Sequence, residues 1–472
     1  MKTRGYAVLA LCVAIALGGC GSAQKKEGDT AEKLDPSLVG TLVDHKTFYD
    51  DGSLMGTGKA LYKGVMNKPV RIKQGAWIQY YKGTNTVKQA EGEYKDDKQS
   101  GAWKFFFKDG KLQQEGSFTD GVASGVWTVY YPTGEKSWSA PYSIVTEKDP
   151  QTGEEKKIGR IEGVKTSFFK SGKVWKEEEL HGGKKNGRSQ EYYEAGNPKE
   201  IAMYKDDLKN GALNEWWPSG KTKTNGFFTV TEQIDKKTKQ PTGEKIETKV
   251  GNWKMFYSNG ALAIEGAFVD NRPEGQWRAY SREGLLMKEG KYKAGKEDGF
   301  WTYYEYDNGR RTIAMELVVE AGMIAEGASR VYKKGVLFGE GQLKRIPAKA
   351  LFQIYKDGKE AGIIDAQNQP DDDPASKTTS KWTGTWFAVV PNGIFAEFYP
   401  GTRSKKTEAN YMIGKLNGKF TEFYPNGKVK AEGEYLAGKK NGNWKFYNAD
   451  GSIDYEISGQ YMSDKLFNKL KK

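Results

Sequence analysis

Short runs of apolar and aromatic residues, each bounded by glycine and charged residues, recur along the chain from about residue 40 to residue 461. "WKFFF" at 103–107 reads as an aromatic strand, "KDG" at 108–110 as a turn whose glycine can take positive φ, and "KLQQEGSF" at 111–118 as a returning strand with Leu112, Gly116 and Phe118 on one side. The next turn, "TDGVASG", carries Gly121 and Gly125, and Trp127 opens another hairpin. One unit is one hairpin, so consecutive units should add antiparallel strands edge to edge. A lone hairpin is marginal in water, and stacked neighbours are what bury each Trp.

The pattern keeps register. A glycine stands two residues before Trp or its equivalent at Gly101 and Gly125, at Gly163, Gly187 and Gly211, at Gly251, Gly275 and Gly299, and at Gly418 and Gly442, with an interval of 24 inside each group. Gly75 and Gly384 open two further copies, and Gly40 and Gly327 open degenerate ones. Three residues past the Trp position the side chain is aromatic (Phe106, Tyr130, Tyr280), nine past it is apolar (Leu112, Val174, Leu262), and fifteen past it is large (Phe118, Tyr142, Phe268). The expected fold is all-β, an elongated array of tandem antiparallel β-hairpins over 37–365, resumed at 383–462. With 58 glycines, 15 prolines and a mean hydropathy of −0.76, the composition suits short strands and tight turns.

The phrase G-x-[YF]-x-x-G-K-x-x-G-x-W-x-x-[YF]-[YF]-x-x-G-x-[LV]-x-x-E resembles the MORN repeat (membrane occupation and recognition nexus), in the bacterial variant found in proteins labelled YwqK-type antitoxins. This resemblance covers most of residues 40 to 461. It implies meandering antiparallel β-structure, and interaction rather than catalysis. Choline-binding cell-wall repeats also pair glycine with aromatics, but they set the aromatic pair directly after the glycine, whereas here two residues separate Trp103 from Phe106.

Departures from the repeat mark where specificity can enter. "SIVTEKDPQTGEEKKIGRI" (143–161) and "TVTEQIDKKTKQPTGEKIETKVG" (229–251) read as two versions of one insertion, near 138–161 and 229–251, each a long solvated hairpin around a Thr-Gly-Glu turn. Residues 366–382, rich in Pro, Asp, Ser and Lys, read as a flexible loop or linker, and 463–472 as a basic tail or short helix. Asp371 to Asp373 lack the interleaved ligand pattern of a Ca²⁺ loop. Trp138 and Trp175 lie outside the consensus Trp position, and Trp216 with Trp217 replaces the usual Tyr or Phe pair. These four are the candidate ligand contacts, with packing against the insertions as the alternative.

The N-terminus bears on location. "MKTRGYAVLALCVAIALGGCGS" has Lys2 and Arg4, an apolar run from Tyr6 to Leu17 and small residues before Cys20, the order of a signal peptide over 1–19. "LGGC" resembles the bacterial lipobox, which implies a lipidated Cys20, a tether over 20–36 and membrane attachment through the acyl chains. Gly21 in place of aspartate directs the expectation to the outer membrane, on its periplasmic or surface face. Cys12 would leave with the signal and Cys20 would carry lipid, so no disulfide, thiol nucleophile or thiolate metal site is expected. His45 and His181 have no metal spacing and read as exposed. No cofactor is expected, and no paired carboxylates mark a glycosidase.

Subtracting Lys2 and Arg4 from the formal charge of +13 leaves +11, spread through repeats that mix acids and bases. Such a field suits anionic lipid or glycan as well as simple solvation, and export excludes nucleic acid. Three readings stand open: a non-enzymatic scaffold holding an envelope protein partner, a glycan, peptidoglycan or cell-wall binding protein, and a lipoprotein immunity factor that neutralises a toxin.

Overall fold

The computed structural model describes residues 36–65, 68–149, 151–235, 237–325, 329–347, 364–366 and 386–471. These are β-strands and turns, with a single 3-10 turn at Pro36–Leu38. The chain divides into two compact units, residues 1–189 and 190–472. In the first, Lys88–Lys95, Lys98–Phe106, Leu112–Thr119, Val122–Tyr130 and Lys136–Lys148 pair antiparallel, each with the next. In the second, Pro241–Phe256, Leu262–Val269, Arg272–Tyr280, Leu286–Lys293 and Lys296–Asp307 do the same. The tandem hairpins expected from the period are the fold. The division into units falls near residue 189, where the Trp positions hold Lys165, Ser189 and Leu213.

The conserved spacing of the unit has a mechanical cause. Glu91 pairs with Lys104 and Glu93 with Ser100, so the strand Lys98–Phe106 carries extra residues, and Gly101 takes the left-handed conformation (φ 66°) there. That bulge carries the Trp103 indole over Gly92, where a Cβ would stand 2.3 Å from Trp103 Cδ2. The same nesting joins Gly116 to Trp127, Gly266 to Trp277, Gly290 to Trp301 and Gly433 to Trp444. Each indole N–H then donates to the carbonyl ten residues earlier, Trp103 to Glu93 at 3.0 Å and Trp301 to Lys291 at 3.1 Å. The indoles alternate edge-to-face with the aromatics of the returning strands, as in Phe268–Trp277 (5.1 Å), Trp277–Tyr292 (5.7 Å) and Tyr292–Trp301 (5.2 Å). Trp103 and Trp127 are 1% exposed, so a one-layer sheet makes its core from this column.

On the other face, the Tyr three residues past Trp donates to the Glu of the preceding returning strand: Tyr130 to Glu115 (2.6 Å), Tyr280 to Glu265 (2.8 Å), Tyr304 to Glu289 (2.7 Å) and Tyr447 to Glu432 (2.6 Å). Partial burial and the carboxylate acceptor push these four phenols up to about 12.

Several expectations need correction. The first repeat runs in the register of Val43, not Gly40: His45 takes the Trp position, half-buried with its ring 6.2 Å from that of Trp77, and Tyr49 donates to the Tyr80 carbonyl as a repeat tyrosine does. His181, by contrast, is exposed as expected, and its ring is hydrogen-bonded to Glu162 (2.8 Å). Within 463–472 the chain forms the strand Lys465–Lys469, paired with Gly459–Met462, in place of a tail or helix. The two read insertions are hairpins, Tyr142–Lys148 on Glu155–Ile161 and Phe227–Ile234 on Pro241–Val250. Their shared turn is Asp-x-x-Thr rather than Thr-Gly-Glu. Asp149 accepts from the amides of Gln151 and Thr152, Asp235 from those of Lys237 and Thr238, and Thr242-Gly243-Glu244 belongs to a strand. Lys239 (φ 61°) occupies the left-handed position that Gly153 (φ 74°) fills in the first. The copy read from Gly384 runs instead from Gly393 (φ 104°), with Phe395 in the Trp position. The signal segment, Cys20, the tether, Gly327, Gly384 and most of 366–382 lie outside the described residues.

Candidate interaction surface

The four candidate tryptophans fall in different units and play different parts. Trp217 is 5% exposed, and its indole N–H donates to the Phe256 carbonyl at 3.1 Å. Tyrosines make that bond elsewhere: Tyr81 to Phe106 (2.7 Å), Tyr257 to Tyr280 (2.9 Å) and Tyr424 to Tyr447 (2.7 Å). Trp217 is thus one rung of a ladder that ties each turn to the next repeat, and it offers no open face. Half-buried Trp216 supplies the carbonyl for the preceding rung, from Tyr193 at 2.9 Å. Trp175 is half-buried at the bulge opposite Ser167 and Phe168, 6.3 Å from the Phe169 ring.

Trp138 repairs a gap in the aromatic column. The repeat that opens at Gly163 has Lys165 where Trp is expected, opposite Ala140 instead of glycine. Trp138, two residues before Ala140, packs against the cluster of Ala90, Trp103, Phe118, Ala123 and Trp127, and Lys165 Nζ lies 5.1 Å above its ring. One repeat further on, Glu178 replaces the nesting glycine and Ser189 the Trp. The Glu178 carboxylate meets Lys176 (2.9 Å) and Lys185 (3.2 Å). Burial pushes this carboxyl up, but the two ammonium groups outweigh it and hold it below the ordinary glutamate range.

Sequence reading missed both this polar stretch and a second one in the later unit. Glu297, 3% exposed, lies within 2.6 Å of Arg345 Nη2 and 4.0 Å of Lys288 Nζ, and Arg345 also donates to Tyr303 Oη at 3.3 Å. Lys288 Nζ also lies 5.3 Å from the Trp301 ring and 5.7 Å from that of Tyr303. Glu297 occupies the position four before Trp, where Lys249 and Lys440 instead lie over Trp253 (4.8 Å) and Trp444 (5.0 Å). Glutamate in a position that holds lysine in several copies was a legible signal, but Arg345, which answers it, comes from an excursion strand. A buried pair of this kind fixes geometry more than it adds stability.

Excursions from the repeat share one point of departure. In the first unit the chain leaves between Gly58 and Gly75, as strands Leu54–Val65 and Lys68–Tyr80 extended past the sheet, and again between Ala140 and Gly163. In the second it leaves between Gly226 and Gly251 and between Gly341 and Gly393, where Leu343–Pro347 pairs with Phe387–Pro391. Each replaces the tight turn that precedes the glycine of the next Trp. The first of the four was not read from sequence because its alternating apolar residues continue the strands on either side.

Four segments, 99–120, 185–206, 249–270 and 416–437, match the MORN repeat variant. No curated protein matches the chain. Among solved structures, a porin-like protein from Bacteroides uniformis aligns at 11% identity over 58% of this chain and 89% of its own, with a TM-score of 0.13. The Photorhabdus luminescens Tc holotoxin pore aligns at 11% identity over 86% of this chain and 22% of its own, with a TM-score of 0.12. Superpositions this poor carry no argument. Tandem hairpins carrying four MORN-variant repeats suggest a repeat-based binding scaffold. Among the described residues no helix is long and apolar enough to cross a membrane, and no three His, Cys, Asp or Glu side chains stand close enough to hold a metal ion.

Proposed function

We propose that this chain is a non-enzymatic scaffold of the bacterial envelope, held at the outer membrane by a lipid on Cys20, that grips a protein partner through its excursion hairpins. The observation that carries the reading is the common departure point of those hairpins. The consensus Trp, Gly, Tyr and Glu side chains make contacts within the sheet, whereas hairpins that depart from the repeat leave from one side of it. Variable loops on a rigid scaffold are where recognition is placed. The "LGGC" segment supports the anchor.

The test exchanges residues 143–160, and separately 229–248, for the Thr-Asp-Gly-Val that makes the same connection at 119–122. Both variants should melt as the parent does and lose capture of an envelope protein after crosslinking. Undiminished capture by both would overturn the reading. Cys20→Ser should move the protein from the membrane fraction to the soluble fraction, and unchanged membrane retention would remove the anchor from the proposal.

A further inference from the structure

We infer that a notch on the turn edge of the second unit receives a carboxylate side chain of the protein partner, seated between Arg330 and Arg403. The inference rests on the scaffold reading and names the chemistry of one contact within it.

Hairpin ends of different reach meet at the notch. A regular repeat closes through five residues, as at 257–261, where Phe256 pairs with Leu262 and Tyr257 N–H donates to the Ala261 carbonyl (2.9 Å). At 333–336 the connection is tighter: Lys333 pairs with Val336, and Lys334 (φ 51°) and Gly335 (φ 74°) form a two-residue turn. Both neighbouring connections are longer. The preceding hairpin continues its ladder to Asp307 and Arg310, and the following one pairs Phe398 with Lys405 across an extra residue. The short hairpin end beside the longer connection at 399–404 borders a recess of about 400 Å³, lined by Arg330, Tyr332, Val336, Leu337, Thr402 and Arg403.

Its two guanidiniums have capacity to spare. Arg403 is exposed and forms no ion pair among the described residues. Arg330 reaches Glu340 at 3.4 Å and Glu316 at 3.7 Å, long beside the ~2.8 Å of a well-formed charge-assisted bond, and Glu316 already accepts from Tyr332 Oη at 2.7 Å. A planar carboxylate fits the guanidinium fork through two parallel bonds. The nearby Glu316 and Glu340 penalise a dianion more than a monoanion, which favours carboxylate over phosphate. Val336, 40% exposed, and Leu337 form an apolar rim. The fitting ligand is an extended segment with Asp or Glu beside an apolar residue.

The experiment titrates the full chain with a fluorescent hexapeptide alternating Glu and Leu, with a Gln and Leu counterpart and inorganic phosphate as competitors. Arg403→Ala should weaken binding about tenfold, the scale of one lost charge-assisted bond. Arg403→Lys should recover part of that, and Lys406→Ala, an equal charge change on an exposed neighbour, should stay within about twofold. An equal loss in Lys406→Ala, equal binding of the Gln peptide, tighter binding of phosphate, or no binding of the acidic peptide would each overturn the inference. If hairpin exchange abolishes partner capture while Arg403→Ala leaves capture and peptide binding unchanged, the scaffold reading stands and the notch assignment fails. If Arg403→Ala acts as stated and hairpin exchange does nothing, the notch stands and the excursion hairpins are not the grip.

Discussion

Gly116→Ala should destabilise its hairpin even though alanine is the better strand residue. Gly116 is not in the left-handed region, so the backbone alone would gain about 0.5–1 kcal/mol from the exchange. The added Cβ, however, would stand 2.2 Å from Trp127 Cδ2 and 2.3 Å from Cε2, within a rigid indole that is 1% exposed and fixed by its own bond to the Ser117 carbonyl. Overpacking of this kind costs roughly 1–3 kcal/mol, leaving a net loss of about 1–2 kcal/mol. Trp127→Leu alone opens a void over the glycine and should cost about 3 kcal/mol. The pair together rebuilds what the chain already contains at 202 and 213, where buried Ala202 faces buried Leu213. The double variant should therefore be more stable than the sum of the single effects by about 1–2 kcal/mol. Repeat arrays do not unfold as one step, so the assay is native-state hydrogen exchange of Leu112–Thr119 and Val122–Tyr130 with a parallel thermal melt. A neutral or stabilising Gly116→Ala, or strict additivity of the two changes, would refute the nesting argument.

Trp138→Ala should lower stability by about 2 kcal/mol, since its ring fills the column in place of a missing Trp, and Trp175→Ala by about 1 kcal/mol or less at its bulge; thermal melts of the two variants check the order. The phenols of Tyr130, Tyr280, Tyr304 and Tyr447 are raised to about 12 in the folded chain, so their contribution is intact below the ordinary tyrosine value of about 10 and is lost as pH rises towards 12. Tyrosinate absorbance and circular dichroism followed together should show late ionisation coupled to unfolding, and early ionisation without structural loss would contradict it. Glu178 is depressed, so its stabilisation is present above the ordinary glutamate value and falls away as pH drops through the lowered folded one; Glu178→Gln should flatten that part of an acid stability profile.

Hairpins, turns and the aromatic strand could be read from the sequence because strand alternation and turn glycines are local. Gly110 and Gly121 take the positive φ that the turns require, at 84° and 81°. The role of Gly116 was hidden, since a glycine on a strand face looks the same whether it marks a turn, a weakness or a socket; only its pairing with Trp127 explains it. A legible trace was there in covariation: where Trp gives way to Lys165, Ser189 and Leu213, glycine gives way to Ala140, Glu178 and Ala202. Trp217 misled because a Trp in a Tyr position invites a ligand, although an indole N–H serves the same carbonyl as a phenol O–H. The notch between Arg330 and Arg403 lies where hairpin ends of different reach meet, which appears only once the strands are in register.

Site-specific photocrosslinking in the envelope tests the scaffold claim most directly. A crosslinker at the hairpin tips, Gln151 and Lys237, is compared with one at Lys104 on the face of an uninterrupted strand. The account predicts that both tips capture the same envelope protein and that Lys104 captures none. Capture from Lys104 equal to that from the tips, or no common product at Gln151 and Lys237, would contradict it.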